Sequence, residues 1–464
     1  MSDTDADAEP DTAWRPRPFA PAPDGLGLAG FLGRLLSDPI SAAPAACYHG
    51  PIAVRRRRDG RAVLAWITDP GTLDTLFRAP EAYPKSTTDA RILRPAFGDS
   101  LLTAEGASWR WKRRLAAPFF APAALAARHG AMIVPFREAA DAWAAAPEGR
   151  IDVAGLMTRT TLEVVRRVLF AEDRIDVARL SAAIDAYLGP VPWVVALAAL
   201  KAPDWAPFPG RGRMADGRRR MRALVAALVA GQRDRHGAGG EPGDSLTAAL
   251  LAAEDPETGQ RLTDDDLVDM ALTLIAAGHE TTAGTLTFAL VALARQPMLE
   301  ARLAAEIARV TGGAPVAPEH LDALVETEAM LREVLRLFPA GALMGRQMAE
   351  DGAVLGETLA AGTTLFVPVY ALHRRPALWP DPDRFDIERH LGAERATIHR
   401  AAWMPFGAGP RICIGASFAM AEMVLGLATL VQRLAIAPAA VTPRIVHRVT
   451  LRPGGPVVLV ARTR

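Results

Sequence analysis

The sequence predicts a mainly α-helical domain with small β-sheets, and three observations carry that prediction. Ala, Leu, Arg and Glu recur at i, i+3 and i+4 through most of 89–339, with breaks at Pro and Gly clusters. Short β-type runs lie only before and after that block. Half of the 464 residues are hydrophobic and 23% are charged, with 53 basic against 52 acidic side chains and a net charge of +1. That is the arithmetic of a globular chain, neither disordered nor fibrous. A prior of roughly 100 to 200 residues per domain allows two or three units. No internal repeat or convincing linker divides the chain, however, so one large domain over 29–464 is expected.

Residues 1–28 mix Asp, Pro and Ala without period and predict a flexible leader. They lack the positive n-region and apolar h-region of a signal peptide. The two cysteines, Cys47 and Cys413, make neither a disulfide framework nor a C-x-x-C zinc site, which predicts a reducing, cytoplasmic location. Residues 52–54 and 62–67 flank four arginines at 55–58 and the turn pair Asp59-Gly60, a two-strand pattern. The arginines carry no interleaved aromatic platform, and the near-zero net charge gives no field toward nucleic acid, so no nucleic-acid partner is expected. The most apolar stretch, 186–200, is interrupted by Gly189, Pro190 and Pro192 and is too short to span ~30 Å of bilayer. It predicts a buried helix, a lid over a pocket or a peripheral membrane contact, with no transmembrane segment.

The longest segment opens at Thr263 with Asp266 three residues on, an N-cap with an acidic first turn, and runs to Gln296 before Pro297. At ~1.5 Å per residue its length is ~50 Å, enough to cross a domain. After Pro339 come a β-type run at 363–369 and the turns of Trp379-Pro380-Asp381-Pro382. Helix returns at 415–434, and 448–451 with 457–460 predict a closing hairpin.

The most informative segment is Phe406-Gly407-Ala408-Gly409-Pro410-Arg411-Ile412-Cys413-Ile414-Gly415, followed at once by an apolar helix. A cysteine just before a helix start has its thiolate stabilised by the positive helix end and by unpaired N–H groups. Gly407, Gly409 and Gly415 permit the turns and close approach that a bulky planar ligand demands. Arg411 can pair with an anionic group on that ligand. The pattern F-x-x-G-x-R-x-C-x-G resembles the haem-binding signature of the cytochrome P450 family at every fixed position. The resemblance implies that family's single triangular α-rich domain, with Cys413 as the proximal thiolate ligand of haem iron. It further implies Phe406 packed near the sulfur and Arg411 on a haem propionate. Cys47 has no such surroundings and is a packing residue.

Other segments resemble the same family. Glu333 and Arg336 stand three apart on one helix face, similar to its E-x-x-R helix, whose partner here is Arg389 in Phe385-Asp386-Ile387-Glu388-Arg389, with Ile387 where proline is usual. The implied role is a buried ion network. The same spacing at Glu163/Arg166 and Glu306/Arg309 predicts ordinary surface pairs. Ala277-Gly278-His279-Glu280-Thr281-Thr282 resembles the oxygen-binding motif: Gly278 removes bulk beside the distal face, Glu280 is the acid and Thr281 the alcohol of a proton-delivery pair, its hydroxyl turned toward a carbonyl one turn back. His279 is neither ligand nor base in this reading. Trp109 and Arg113 resemble the W-x-x-x-R helix that reaches a propionate, and Arg346 stands where the family often has another propionate-binding arginine. Arg110, Lys112 and Arg114 form either a docking patch for an acidic electron-transfer protein or a solvated face. The basic cluster at 211–222 is surface charge.

The resemblance implies a haem-thiolate monooxygenase that uses haem b and O2 and inserts one oxygen atom into a C–H bond or C=C of a lipophilic small molecule. Electrons from NAD(P)H would arrive through a ferredoxin or flavodoxin and its reductase, since about 50 residues after Cys413 leave no room for a fused reductase. A peroxygenase, a redox-independent isomerase or dehydratase, and a non-enzymatic haem sensor or ligand carrier stay open as alternatives. Ala276, Ala277, Ala340, Ala342, Leu343 and Met344 are expected to line an apolar substrate pocket.

Overall fold

The long helix organises the molecule. In the structure, a computed structural model that describes residues 14–170, 176–237 and 245–464, it spans Asp264–Arg295. Thr263 Oγ1 accepts from the Asp266 N–H at 3.2 Å while the Asp266 carboxylate accepts from the Thr263 N–H at 3.1 Å, a reciprocal cap that satisfies two otherwise unpaired donors. Nearly all of the helix is buried, as expected of a core rod that is apolar all round. Its burial is interrupted only around Ala276, Ala277, Gly278, Glu280 and Thr281. An exposed Ala277 in the middle of a buried helix marks an internal cavity.

Around this rod pack Val153–Phe170, Val325–Leu337 and Ala416–Arg433, sharing one apolar cluster. Phe288 stacks on Phe338 at 4.2 Å, a close aromatic contact that fixes the rod against the chain following Val325–Leu337. A second apolar cluster fills one side of a four-stranded sheet ordered Ile52–Arg56, Ala62–Ile67, Thr364–Val367, Met344–Gln347. The inner pair is parallel, which requires a crossover connection, and nearly 300 mostly helical residues, with the strand Met344–Gln347 among them, intervene between these neighbouring strands.

Two expectations need correction. The closing segment is not a hairpin on itself. Leu451–Pro453 pairs back on Ile445–His447, and Val458–Thr463 departs to join Arg150–Asp152 and Leu434–Ile436. Pro453 and Pro456 each lack an N–H and break the ladder across that turn, while the Val457 N–H is captured by the Asp152 carboxylate at 2.9 Å. The leader is also not free over its second half. Residues 1–13 lie outside the described residues, but Trp14 is buried between Phe338 and Phe385, with ring centroids at 5.8 and 5.7 Å, and its carbonyl accepts from the Phe385 N–H. Phe19 adds an edge contact on Tyr370 at 5.4 Å, Ala22 bridges Pro44 and Arg15 pairs with Asp381, so several contacts together dock the segment.

The apolar stretch at 186–200 folds as the end of Val177–Leu188 and the helix Val191–Ala199, broken at Gly189-Pro190. By length and composition alone Ala178–Ala199 could cross a membrane, yet half of it is buried. Helix Val191–Ala199 lies on Leu28–Ser37 and Thr87–Phe97.

Candidate active site

The cysteine loop is shaped by two left-handed glycines, Gly407 at φ 76° and Gly409 at φ 68°. They serve different neighbours. Gly407 lies on the wall of a cavity of about 480 Å³, whereas Gly409 does not: a Cβ on it would stand 2.3 Å from the Phe77 carbonyl oxygen, so it seats the turn against the end of helix Pro70–Arg78. The Cys413 N–H donates to the Phe406 carbonyl at 2.9 Å. Gly415 then caps Ala416–Arg433. The Cys413 side chain is closely surrounded by protein but open to the cavity. Burial pushes its thiol pKa up, and the Gly415 N–H and the Arg113 guanidinium oppose that shift. Phe406, Ile414 and Gly415 share the cavity wall.

The long helix forms another wall through Ala277, Gly278 and Thr281. The Thr281 hydroxyl donates to the Ala277 carbonyl at 2.8 Å. Gly278 contributes backbone only, and its missing Cβ matters on the other side, where Val165 Cγ2 lies 3.0 Å away, so it lets Val153–Phe170 approach the rod closely. Glu280 is not on this cavity. One residue turns a helix by about 100°, and Glu280 with His279 faces a second, polar cavity beside Asp185 and Arg452. There the Glu280 carboxylate is held by Arg452 and accepts from Thr450 Oγ1 at 2.7 Å. His279 Nδ1 bonds the Ile275 carbonyl at 2.8 Å, a buried and satisfied ring.

Five cations line the cavity, Lys85, Arg113, Arg346 and Arg411 together with Arg448 beside His447, and the Asp89 carboxylate lines it too. Arg411 lies over the Trp109 ring at 4.4 Å, donates to the Ala104 carbonyl at 2.8 Å and pairs with Glu105, yet its buried Nε has no partner among the described residues. Arg346 is 9% exposed and donates to the Gly345 carbonyl at 2.8 Å. Arg113 donates to the Ile412 carbonyl at 2.8 Å. Burial, with Arg411 and Arg346 nearby, pulls the Lys85 pKa down to about 8. Sequence reasoning missed Lys85: it belongs to no motif, and only the antiparallel bridge between Lys85 and Arg346 brings it here. The proposed basic patch at 110–114 dissolves. Lys112 is buried on Asp99 and Asp266 at 3.0 and 2.7 Å, Arg114 is taken by Asp255 and Glu257, and Arg110 alone is exposed, paired to Glu81.

Of the expected pocket residues, Ala277, Ala340, Leu343 and Met344 line the cavity. Ala276 packs against the main core instead, and Ala342 is fully buried with its carbonyl accepting from the Tyr370 N–H. Behind the cysteine loop Arg336 grips Glu333 with two bonds of 2.7 Å, both side chains wholly buried. Arg389 Nε stands 3.7 Å from the same carboxylate, and His390 Nε2, not anticipated, lies at 3.1 Å. Ile387 in place of proline leaves a short helical turn Ile387–His390, and the Asp386 N–H still donates to Glu333 at 2.9 Å.

A family model for cytochrome P450 matches residues 45–460. The chain belongs to the cytochrome P450 family. It is similar to a cyclooctat-9-en-7-ol 5-monooxygenase of Streptomyces melanosporofaciens, 32% identical over 97% of this chain and 96% of that one. It is 33% identical to the cyclooctatin synthase of the same organism over 90% of each. A crystal structure of the cytochrome P450DA heme domain superposes with a TM-score of 0.81 at 27% identity, covering 97% of this chain and 99% of that one. The protein is thus a P450 monooxygenase, an oxidoreductase whose chemistry rests on haem iron and O2. The cavity suits such a group: apolar walls, an accessible cysteine, and an edge where an unpartnered Arg411 Nε and three further cations outnumber the Asp89 and Glu105 carboxylates beside them and can meet anionic substituents.

Proposed function

We propose that the Cys413 thiolate ligates the iron of haem b, and that this P450 inserts one atom of O2 into a C–H or C=C bond of a bulky, lipophilic, alicyclic molecule. The observation that carries the reading is a single cavity shared by a loop cysteine and by the break in burial of the long helix at Ala277 and Thr281. Arg113, Arg346, Arg411 and Lys85 would hold the propionates, and Phe406 and Gly407 would lie beside the sulfur. Bound haem supplies activation of O2, which thiolate ligation directs toward O–O cleavage.

The chain's own part is positioning and proton handling. Ala277, Ala340, Leu343 and Met344 give an apolar surface that orients substrate and excludes water. Thr281 Oγ1, anchored on the Ala277 carbonyl, holds a proton at the cavity wall. A part for Glu280 requires its carboxylate to release Arg452 and Thr450. The functional unit is one domain over 29–464 with residues 14–28 docked on it. Electrons from NAD(P)H arrive through a ferredoxin or flavodoxin and its reductase at the face carrying Arg113 and exposed Ile412. A cytoplasmic location accords with two free cysteines. An alicyclic substrate accords with the apolar walls and with the relative named for a cyclooctat-9-en-7-ol.

The dithionite-reduced, CO-treated protein is expected to show the red-shifted band of thiolate-ligated haem, and Cys413→Ser to lose it while retaining the fold by circular dichroism. Haem bound without that band in the unsubstituted protein would remove Cys413 as ligand. Thr281→Ala is expected to keep consuming O2 but to release most of the electrons as hydrogen peroxide. Unchanged coupling of O2 to product would take Thr281 out of proton handling.

A further inference from the structure

The cavity contains a polar side chain that none of the roles above employs. His447 ends the strand Ile445–His447 and is 3% exposed. It lines the same cavity as Cys413 and Thr281, yet neither Nδ1 nor Nε2 has a hydrogen-bond partner among the described residues. Its backbone is held firmly: the His447 N–H donates to the Asp38 carboxylate at 3.1 Å, and the strand pairs with Leu451–Pro453. The ring is therefore placed by the fold and left unsatisfied. Burial keeps it neutral, its pKa pushed down to about 3. A neutral imidazole offers one N–H donor and one nitrogen acceptor.

A second residue lining the same cavity carries an unpartnered polar atom. Thr281, Thr285 and Thr287 each return their hydroxyl to the carbonyl four residues back. Thr273, on the same helix and on the cavity wall, has no partner for its buried Oγ1 among the described residues. Buried polar groups without partners are rare because leaving them unpaired is costly. Two of them on different elements lining one mostly apolar cavity point to a ligand that brings polar atoms of its own.

We propose that His447 is a specificity-determining residue that hydrogen-bonds an alcohol oxygen on an otherwise apolar substrate, the cavity thereby preferring an already oxygenated molecule to its parent hydrocarbon. This rests on the cavity being the substrate site of the P450. A hydroxyl both donates and accepts, so it matches either tautomer of the ring. A hydrocarbon of the same shape leaves the imidazole unpaired, and a site with buried polar groups discriminates strongly against the analogue that lacks their partner.

The test is binding by the haem-loaded protein, followed through the spin-state shift of the absorption spectrum, with three pairs of increasing size: menthol and p-menthane, cedrol and cedrane, sclareol and labdane. The alcohol of at least one pair is expected to bind about tenfold more tightly than its hydrocarbon. His447→Phe is expected to abolish that preference while leaving hydrocarbon affinity and the reduced CO spectrum unchanged. His447→Gln, which keeps a donor and an acceptor, should restore part of the preference, and carries the test if the Phe variant fails to fold. Alcohol and hydrocarbon affinities within twofold in every pair, no alcohol binding at all, or a preference that survives loss of His447 would overturn the assignment. If the CO spectrum shows no thiolate band, the haem reading fails separately, and quenching of tryptophan fluorescence by the same pairs still decides the role of His447.

Discussion

Glu333→Ala is expected to leave little folded, haem-loaded protein. The substitution strands the Arg336 guanidinium at zero exposure, where three backbone carbonyls, those of His373, Pro382 and Arg384, accept its remaining N–H groups but no anion neutralises it. Breaking a buried ion pair from one side costs about 3–5 kcal/mol, a large share of the roughly 5–15 kcal/mol that holds a domain together. It also releases Asp386 and His390, and so the segment connecting the ion network to the cysteine loop. Glu163→Ala is the control. Glu163 has the same spacing to Arg166 but is a quarter exposed, and its loss is expected to cost no more than about 1 kcal/mol. Soluble yield, haem-to-protein ratio and thermal midpoint check both, and equal effects would mean that burial of the first pair is not what matters.

The same carboxylate gives the fold a pH dependence. Burial alone would raise the Glu333 pKa, but the Arg336 charge and bonds, with His390, override it and bring the pKa down to about 2 from an ordinary 4.5. A depressed pKa means stability that is fully present above the unfolded-state value and is lost as pH falls through the folded one. Unfolding by acid is therefore expected to steepen between about pH 4.5 and 2, and this part of the profile should be missing from any Glu333→Gln protein that still folds.

Gly409→Ala is expected to damage iron ligation although it touches no part of the cavity. A non-glycine residue in the left-handed region costs about 1–2 kcal/mol, and here the new methyl would also meet the Phe77 backbone at 2.3 Å. Neither partner is a flexible side chain end, so the loop must shift, adding about 1–3 kcal/mol of overpacking. The loop that shifts carries Cys413 four residues on. The reduced CO spectrum should lose much of its thiolate band and the thermal midpoint should fall. Gly60→Ala, left-handed at φ 80° but with open space around it, separates the two causes. If both variants behave alike, backbone conformation explains the loss and the contact with Phe77 does not.

The parts of this molecule legible in its sequence are those whose geometry is local. The capping box of Thr263 and Asp266, the glycine-bounded cysteine loop, the Glu333 to Arg336 pair and the Thr281 hydroxyl on its own helix all involve partners within a few residues or one helical turn. The placements that the sequence did not show share the opposite property. Glu306 was expected to pair with Arg309 three residues on. It is buried and instead accepts from the N–H groups of Glu326 and Thr327, capping the helix that carries Glu333. Lys112 was grouped with neighbouring charges on a surface face but is pulled inward by Asp99 and Asp266. Glu280, next to Thr281 in sequence, is turned by helical rotation into another cavity and bound by residues some 170 positions away.

Periodicity was enough to indicate a mainly α domain, and the motif around Cys413 was enough to indicate the P450 family, because a loop, a cap or a helix face is written in consecutive residues. Which cations meet at the cavity edge, which side of the long helix is open, and that His447 stands unpartnered inside were settled only by packing. Those facts depend on segments hundreds of residues apart arriving at one place, and buried electrostatics is decided by what arrives there.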